Sequence, residues 1–106
     1  MTAKYRNVPT IVNSIRFASK REAKRYGELL LLVKAGKIHT LNLQPRYPLV
    51  VNDAKIATYV ADFSYYEMGK QIDWLVVEDS KGMRTPEYKL KKKLFEALYP
   101  YKITEV

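Results

Sequence analysis

Three charged side chains stand at strand-type spacing in one predicted hairpin, whose turn lies at residues 68–70. The first run of the hairpin carries Asp62, and the second ends in Asp79-Ser-Lys81. Because strand side chains alternate between faces, Asp79 and Lys81 share one face, and Asp62 shares the face of Val60. Charges at the end of an apolar sheet surface are costly unless they are paired or hold a metal. The group is therefore either a metal-type site or a strand-edge charge beside a same-face ion pair.

A fourth candidate, Glu22, lies on the clearest predicted helix, residues 19–36. Ser19 is a favoured N-cap with Glu22 three residues later, and Gly36 is a favoured stop. At 100° per residue, Glu22 falls on the buried stripe of the helix. Three apolar residues share that stripe: Tyr26, Leu29 and Val33. Glu22 therefore completes a capping box, contributes a carboxylate to the hairpin site, or does both.

The net charge of +8, with a pI of about 9.7, is consistent with a polyanionic partner, most often nucleic acid. The alternative is a basic protein whose charge only keeps it soluble, since a run of charge on a helix is usually a solvated face. The candidate nucleic-acid contacts surround the first helix start, the loop before the second helix and the second helix itself: Lys20, Arg21, Lys24, Arg25, Arg84, Lys89 and Lys92.

Composition excludes several kinds of site. The chain has no cysteine, which rules out disulfides and zinc–thiolate sites, and a single histidine, His39, which argues against a multi-histidine metal site. A metal must then be held by oxygen ligands, as suits Mg²⁺ or Mn²⁺. Four scattered glycines make no phosphate-binding loop. No apolar run approaches the ~20 residues of a membrane span, and no signal peptide is evident, so we expect a cytoplasmic protein.

The remaining pattern predicts a flexible basic arm over residues 1–10 and a single domain over residues 11–106. In that domain a small hairpin precedes the first helix, and residues 47–51 form a strand that Asn52-Asp53 ends with a turn. Gln44, just before that strand, is a possible support for the site. Residues 87–99 form a second helix capped by Thr85, and a last strand over residues 101–106 returns by a parallel crossover.

The order is helix, three strands, helix, strand, which makes a mixed α/β fold. With Glu on the helix, Asp on the second strand and Asp-x-Lys on the third, it resembles the αβββαβ core of the PD-(D/E)xK nucleases, the restriction-endonuclease-like superfamily. More closely, it resembles a family of small phage and prophage proteins catalogued as a domain of unknown function. The residues that carry the resemblance are Phe17-Ala-Ser-Lys-Arg-Glu22-Ala, Leu43-Gln-Pro45, Tyr59-Val-Ala-Asp62-Phe, Val77-Glu-Asp79-Ser-Lys81-Gly and Thr85-Pro-Glu-Tyr-Lys-Leu-Lys91.

The resemblance implies roles for four residues. Asp62 and Asp79 become metal ligands, Glu22 completes the metal site, and Lys81 orients or activates the attacking water and offsets developing charge. Ala61 stands where the superfamily's motif has proline. Glu78 is on the opposite strand face from Asp79 and is expected outside the site.

The implied function is a Mg²⁺-dependent endonuclease, with Mn²⁺ as a substitute, that cuts DNA and selects branched forms such as Holliday junctions. Cutting two strands together needs two active sites, so we expect a homodimer, in the host cytoplasm if phage-encoded, with no membrane or small-molecule cofactor. Two alternatives remain open. One is a non-catalytic module that binds DNA or RNA on a nuclease-like fold. The other is a structural protein of a phage particle whose charge neutralises packaged DNA.

Overall fold

The computed structural model describes residues 10–12, 15–80 and 84–106. Those residues form a mixed α/β fold with a central mixed sheet, which confirms the predicted fold class. The elements in chain order are β1 (Thr10–Val12), β2 (Ile15–Phe17), α1 (Lys20–Lys34), β3 (Ile38–Leu43), β4 (Arg46–Val51), β5 (Ala54–Val60), β6 (Phe63–Glu67), β7 (Trp74–Asp79), α2 (Pro86–Leu98) and β8 (Ile103–Glu105). The predicted arm falls outside the described residues except for Thr10, which begins β1.

The central sheet has the strand order β3-β6-β7-β8. Its first three strands pair antiparallel, and β8 returns through α2 to pair parallel with β7, as the sequence predicts. The first strand of this sheet is not residues 47–51, however. That segment lies in β4, which pairs with β5 in a separate two-stranded sheet, and the central sheet begins instead with β3, which the sequence did not predict.

The two helices cover opposite faces of the central sheet. Helix α1 packs on a cluster made by Phe17, Ala23, Tyr26, Leu29, Ile38, Phe63 and Tyr65. Helix α2 and the β4–β5 hairpin enclose a second cluster, made by Leu49, Tyr59, Ala61, Val77, Tyr88, Phe95 and Ile103. Val76 packs on the first cluster and Val77 belongs to the second. The alternation of β7 therefore directs Glu78 toward α1 and Asp79 toward the opposite face.

Both helices begin at the caps that the sequence predicts. The Ser19 hydroxyl accepts a hydrogen bond from the Glu22 N–H (3.2 Å), and the Thr85 hydroxyl accepts one from the Tyr88 N–H (3.1 Å). Gly36, at φ 73°, adopts the left-handed conformation that favours glycine after a helix end. The buried face of α1 consists of Glu22, Ala23, Tyr26 and Leu29, whereas Val33 is exposed, so its predicted place on that face is wrong.

Asp62 lies where the chain returns to the central sheet from the β4–β5 hairpin. It falls in the break between β5 and β6, not within a strand as predicted, and the face it was expected to share with Val60 is wrong because Val60 is exposed. The Gln44 N–H donates to the Asp62 carbonyl (2.9 Å), and the Ala61 N–H donates to the Pro45 carbonyl (3.1 Å). These bonds keep the segment that follows β3 paired with the segment that precedes β6, while the β4–β5 hairpin turns toward α2. The predicted turn at residues 52–53 closes that hairpin.

None of the helices in the described part of the chain is long and apolar enough to span a membrane.

Candidate active site

Two aspartate carboxyl groups meet where β6 and β7 diverge. Asp62 Oδ2 accepts a hydrogen bond from the Ser80 N–H (2.6 Å), and the Asp62 N–H donates to the Glu78 carbonyl (3.2 Å). The Asp79 side chain, at the end of β7, is fully buried and accepts a hydrogen bond from the buried Tyr59 hydroxyl. The negative charge of Asp79 acts on the Asp62 carboxyl and raises its pKa. The two carboxyls thus lie close together, and the main chain and a tyrosine fix their orientation.

The third predicted carboxylate, Glu22, affects the pKa of Asp62 through its charge. Burial, followed by the negative charge of Asp79 and then that of Glu22, raises the pKa of Asp62 to about 7, against the lowering effect of the hydrogen bond from the Ser80 N–H. Glu22 is itself buried on α1. The structure therefore places Asp62 and Asp79 close together and buries Glu22 where its charge acts on Asp62. We call Glu22, Asp62 and Asp79 the acid cluster. The fourth, Lys81, lies outside the described residues.

The raised pKa of Asp62 predicts that the metal-free protein loses stability as the pH rises. In the unfolded chain an aspartate titrates near ~3.9, so between about pH 4 and 7 the folded state holds the extra proton. Unfolding in chelator should therefore show the free energy of unfolding falling by about 1–3 kcal/mol from pH 5 to pH 8. Asp62→Asn, which cannot titrate, should lack this loss and be more stable than wild type at pH 8.

The matched control for that measurement is Asp53→Asn, at the exposed β4–β5 turn. It should keep the wild-type pH dependence, because the same chemical change is made away from the acid cluster. Parallel stability curves for wild type and Asp62→Asn would show that the Asp62 proton is not coupled to folding.

Glu78, next to the acid cluster, faces α1 and is fully buried. Its carboxylate accepts from Arg25 Nε (2.6 Å) and Nη2 (2.9 Å) and from the Tyr65 hydroxyl (2.6 Å). This bidentate pair holds the pKa of Arg25 above its usual value. Glu78 makes no contact of this kind with the acid cluster, which agrees with its predicted place on the other strand face. Its role is to tie α1 to β7.

The same contacts change the interpretation of Arg25. The sequence predicts a nucleic-acid contact, but the Arg25 guanidinium is bound to Glu78 on one side and to Glu28 (3.0 Å) on the other. Its neighbours on α1, Lys20, Arg21 and Lys24, are exposed. Of the four cations predicted there, three face solvent and Arg25 is committed to an internal ion pair.

The cations predicted near α2 gather around one carboxylate. Glu105 accepts from Arg84 Nη2 (2.6 Å) and the Tyr88 hydroxyl (2.7 Å), and Lys92 Nζ lies 3.6 Å from it. The hydrogen bond from Tyr88, followed by that from Arg84, holds the pKa of Glu105 below its usual value. Lys89 is exposed beside them, in a surface groove of about 630 Å³. Arg84, Lys89 and Lys92 form a second basic surface, before and along α2. The first consists of Lys20, Arg21 and Lys24 on α1.

Gln44 is exposed, and its backbone, at φ 50°, contacts the site through the bond to the Asp62 carbonyl. It supports the position of Asp62 through the main chain. Sequence reasoning missed Tyr59 and Tyr65, whose hydroxyls bind Asp79 and Glu78. The signal that could have found them is a tyrosine at a buried strand position, because a buried hydroxyl needs a partner.

Within residues 10–12, 15–80 and 84–106, no group of three or more His, Asp or Glu side chains is spaced to hold a metal ion. The donor set is nevertheless that of a hard cation, because it consists of carboxylate oxygens. What the described residues supply is a pair of neighbouring carboxylates, Asp62 and Asp79, with the charge of Glu22 acting on Asp62.

A family model described as a protein of unknown function (DUF1064) matches residues 2–105. No curated protein and no solved structure matches the chain. The match covers the acid cluster, the Arg25–Glu78 pair and both basic surfaces. Function therefore has to be argued from these residues.

Proposed function

The chain belongs to the family of proteins of unknown function DUF1064, and we propose that it is a Mg²⁺-dependent endonuclease that hydrolyses phosphodiester bonds in DNA. The observation that carries the proposal is the proximity of the Asp62 carboxyl and the fully buried Asp79 carboxyl at the end of a sheet, in a chain of net charge +8. A carboxyl whose pKa is raised by burial and by a neighbouring charge, as that of Asp62 is, is a candidate for a functional site. The resemblance of the sequence to PD-(D/E)xK nucleases supports the same reaction.

The small number of carboxylates in the acid cluster is compatible with Mg²⁺ binding. Mg²⁺ is usually bound by one or two carboxylates together with substrate phosphates, and not by a cage made only of protein ligands. Asp62 and Asp79 would hold the ion, with Glu22 completing the site, and Mn²⁺ is expected to substitute. Bound there, Mg²⁺ would supply a water of lowered pKa and stabilise charge that develops on the phosphate.

The chain's own groups orient these carboxylates. The Ser80 N–H holds Asp62 and the Tyr59 hydroxyl holds Asp79, so neither has to be ordered when the substrate binds. Lys81 is two residues beyond Asp79, and its proposed role, offsetting charge on the phosphate and orienting the attacking water, rests on the PD-(D/E)xK resemblance alone.

DNA is the proposed partner because exposed cations flank the site. Lys20, Arg21 and Lys24 stand on the first turns of α1, the helix that carries Glu22. Contacts of this kind follow the phosphate backbone and weaken steeply with salt. Selection of branched DNA and assembly as a homodimer are further parts of the proposal, since paired cuts in two strands need two sites.

A second candidate is a DNA- or RNA-binding module without catalysis. The observation that favours it is that the described residues contain no ready-made group of three metal ligands. In that case binding would need no divalent ion, and removing the acid cluster would leave binding intact.

The test is a cleavage assay with and without Mg²⁺ on linear duplex, single-strand, flap and four-way junction DNA. An Asp79→Ala, Lys81→Ala double variant purified in parallel controls for contaminating nuclease. Metal-dependent cutting by the wild type alone would establish the nuclease, and the preferred substrate would define its specificity. If no substrate is cut and the variant binds DNA as the wild type does, the protein is the binding module.

A further inference from the structure

A small groove lies near the acid cluster, between the first turns of α1 and two residues, Ser80 and Val106, that follow the ends of β7 and β8. Its volume is about 220 Å³. Its lining consists of Arg21, Lys24, Arg25, Glu28, Ser80 and Val106. The Val106 N–H donates to the Asp79 carbonyl (3.0 Å), and Ser80 is the residue after Asp79. The groove, called here the α1 groove, thus begins where the acid cluster ends.

Ser80 brings an unused hydroxyl to this groove. Its N–H is taken by Asp62, but its Oγ is buried and has no hydrogen-bond partner among the described residues. Buried polar groups are nearly always hydrogen-bonded, because leaving one unsatisfied costs free energy. Rotation about the Cα–Cβ bond of Ser80 can turn the hydroxyl toward a group in the groove. An acceptor bound there would satisfy it.

The cations of the groove differ in whether they are already engaged in ion pairs. Arg25 is bound to Glu78, and Glu28 is bound to Arg25, so these charges are already engaged with each other. Arg21 and Lys24 are exposed and make no ion pair with any residue the structure describes. Two uncommitted cations and a hydroxyl donor favour an anionic ligand with several acceptor oxygens.

We infer that the α1 groove is a subsite for a phosphate of the bound nucleic-acid strand, next to the phosphate that lies at the acid cluster. The Ser80 hydroxyl donates to its oxygen, and Arg21 and Lys24 balance its charge. The inference rests on the proposed function in taking nucleic acid as the ligand. It goes further by fixing the path of the strand: across the start of α1 and past the end of β7. Because Ser80 also holds Asp62, a phosphate in the groove sets the register of the strand against the acid cluster.

The first experiment measures binding of a fluorescein-labelled four-way junction by anisotropy, in an Asp79→Asn background, with EDTA and over a series of salt concentrations. Ser80→Ala should weaken binding about tenfold, as expected for a lost hydrogen bond to a charged group. It should leave the melting temperature equal or higher, since it removes an unsatisfied hydroxyl. Arg21→Gln and Lys24→Gln should each reduce the salt slope by about one. Lys34→Gln, an equal charge change at the far end of α1, should leave the slope unchanged.

The second experiment places a single uncharged methylphosphonate at successive positions along one arm of the junction. At one position the tenfold effect of Ser80→Ala should disappear, because the phosphate it contacts is already neutral. A Ser80→Ala protein that binds like its parent, or a loss that is the same at every position, would overturn the subsite. These are binding measurements, so failure to cut DNA would remove the proposed nuclease without deciding the groove, whereas unchanged binding would remove the groove and leave the nuclease standing.

Discussion

Replacing Asp79 with asparagine is expected to reduce Mg²⁺-dependent DNA cleavage about a thousandfold or more while the protein stays folded. The Asp79 carboxylate is fully buried, lies close to Asp62 and is held by the Tyr59 hydroxyl. An amide of the same shape still accepts from Tyr59, so packing is kept, but one of the two carboxylates proposed to hold the metal is gone. Losing several kcal/mol of transition-state stabilisation corresponds to this factor, at about 1.4 kcal/mol for each tenfold.

The control is Asp73→Asn, the same chemical change just before β7 begins. Asp73 is exposed and paired with His39 (2.8 Å) at the other end of the strand. Single-turnover cleavage of the best substrate measures the loss of activity, and thermal melting of each protein shows whether it stays folded. Cleavage by Asp79→Asn at the wild-type rate would place the chemistry elsewhere, and equal losses in both variants would point to a general effect of β7.

Local signals in the sequence were enough for both helices and the crossover. Ser19 and Thr85 cap α1 and α2 as predicted, because an N-cap depends on a side chain and a backbone N–H a few residues away. The parallel pairing of β7 with β8 follows from the helix between them.

Strand β3 was missed because its alternation is interrupted. Thr40 has φ 55°, and the pairing register with β6 shifts between His39 and Asn42. A bulge of this kind moves the side chains that follow it to the other face of the sheet, so the apolar residues of β3 do not follow a period of two. The predicted face of Asp62 failed for a related reason, since the break after β5 ends the alternation that was counted from Val60.

The acid cluster could be proposed from residue types and order, but the groups that hold it could not. The Arg25–Glu78 pair joins residues 53 positions apart, and in the sequence Arg25 is one of four equivalent cations at the start of α1. Only packing distinguishes the cation that faces β7 from the three that face solvent. Tyr59 and Ser80 likewise acquire their roles from where two strands diverge.

Arg25→Met is expected to lower the free energy of unfolding by about 3–5 kcal/mol, the usual cost of removing one partner of a buried ion pair. Glu78, in a fully buried position, would lose both hydrogen bonds from the guanidinium, with the Tyr65 hydroxyl as the remaining donor. Arg21→Met makes the same change one turn earlier on an exposed surface, so its effect should stay within about 0.5 kcal/mol. Urea unfolding at pH 7 measures both.

A second substitution separates charge burial from lost packing. In the Arg25→Met background, Glu78→Gln removes the uncompensated negative charge and should recover part of the lost stability, whereas Glu78→Gln alone should be destabilising because it leaves Arg25 facing a neutral group. Additive losses in the double variant would mean that the two side chains contribute independently. Recovery would show that Arg25 and Glu78 act as a pair. This pair joins α1, which carries Glu22, to β7, which carries Asp79. We therefore expect the spacing within the acid cluster to depend on an ion pair outside it.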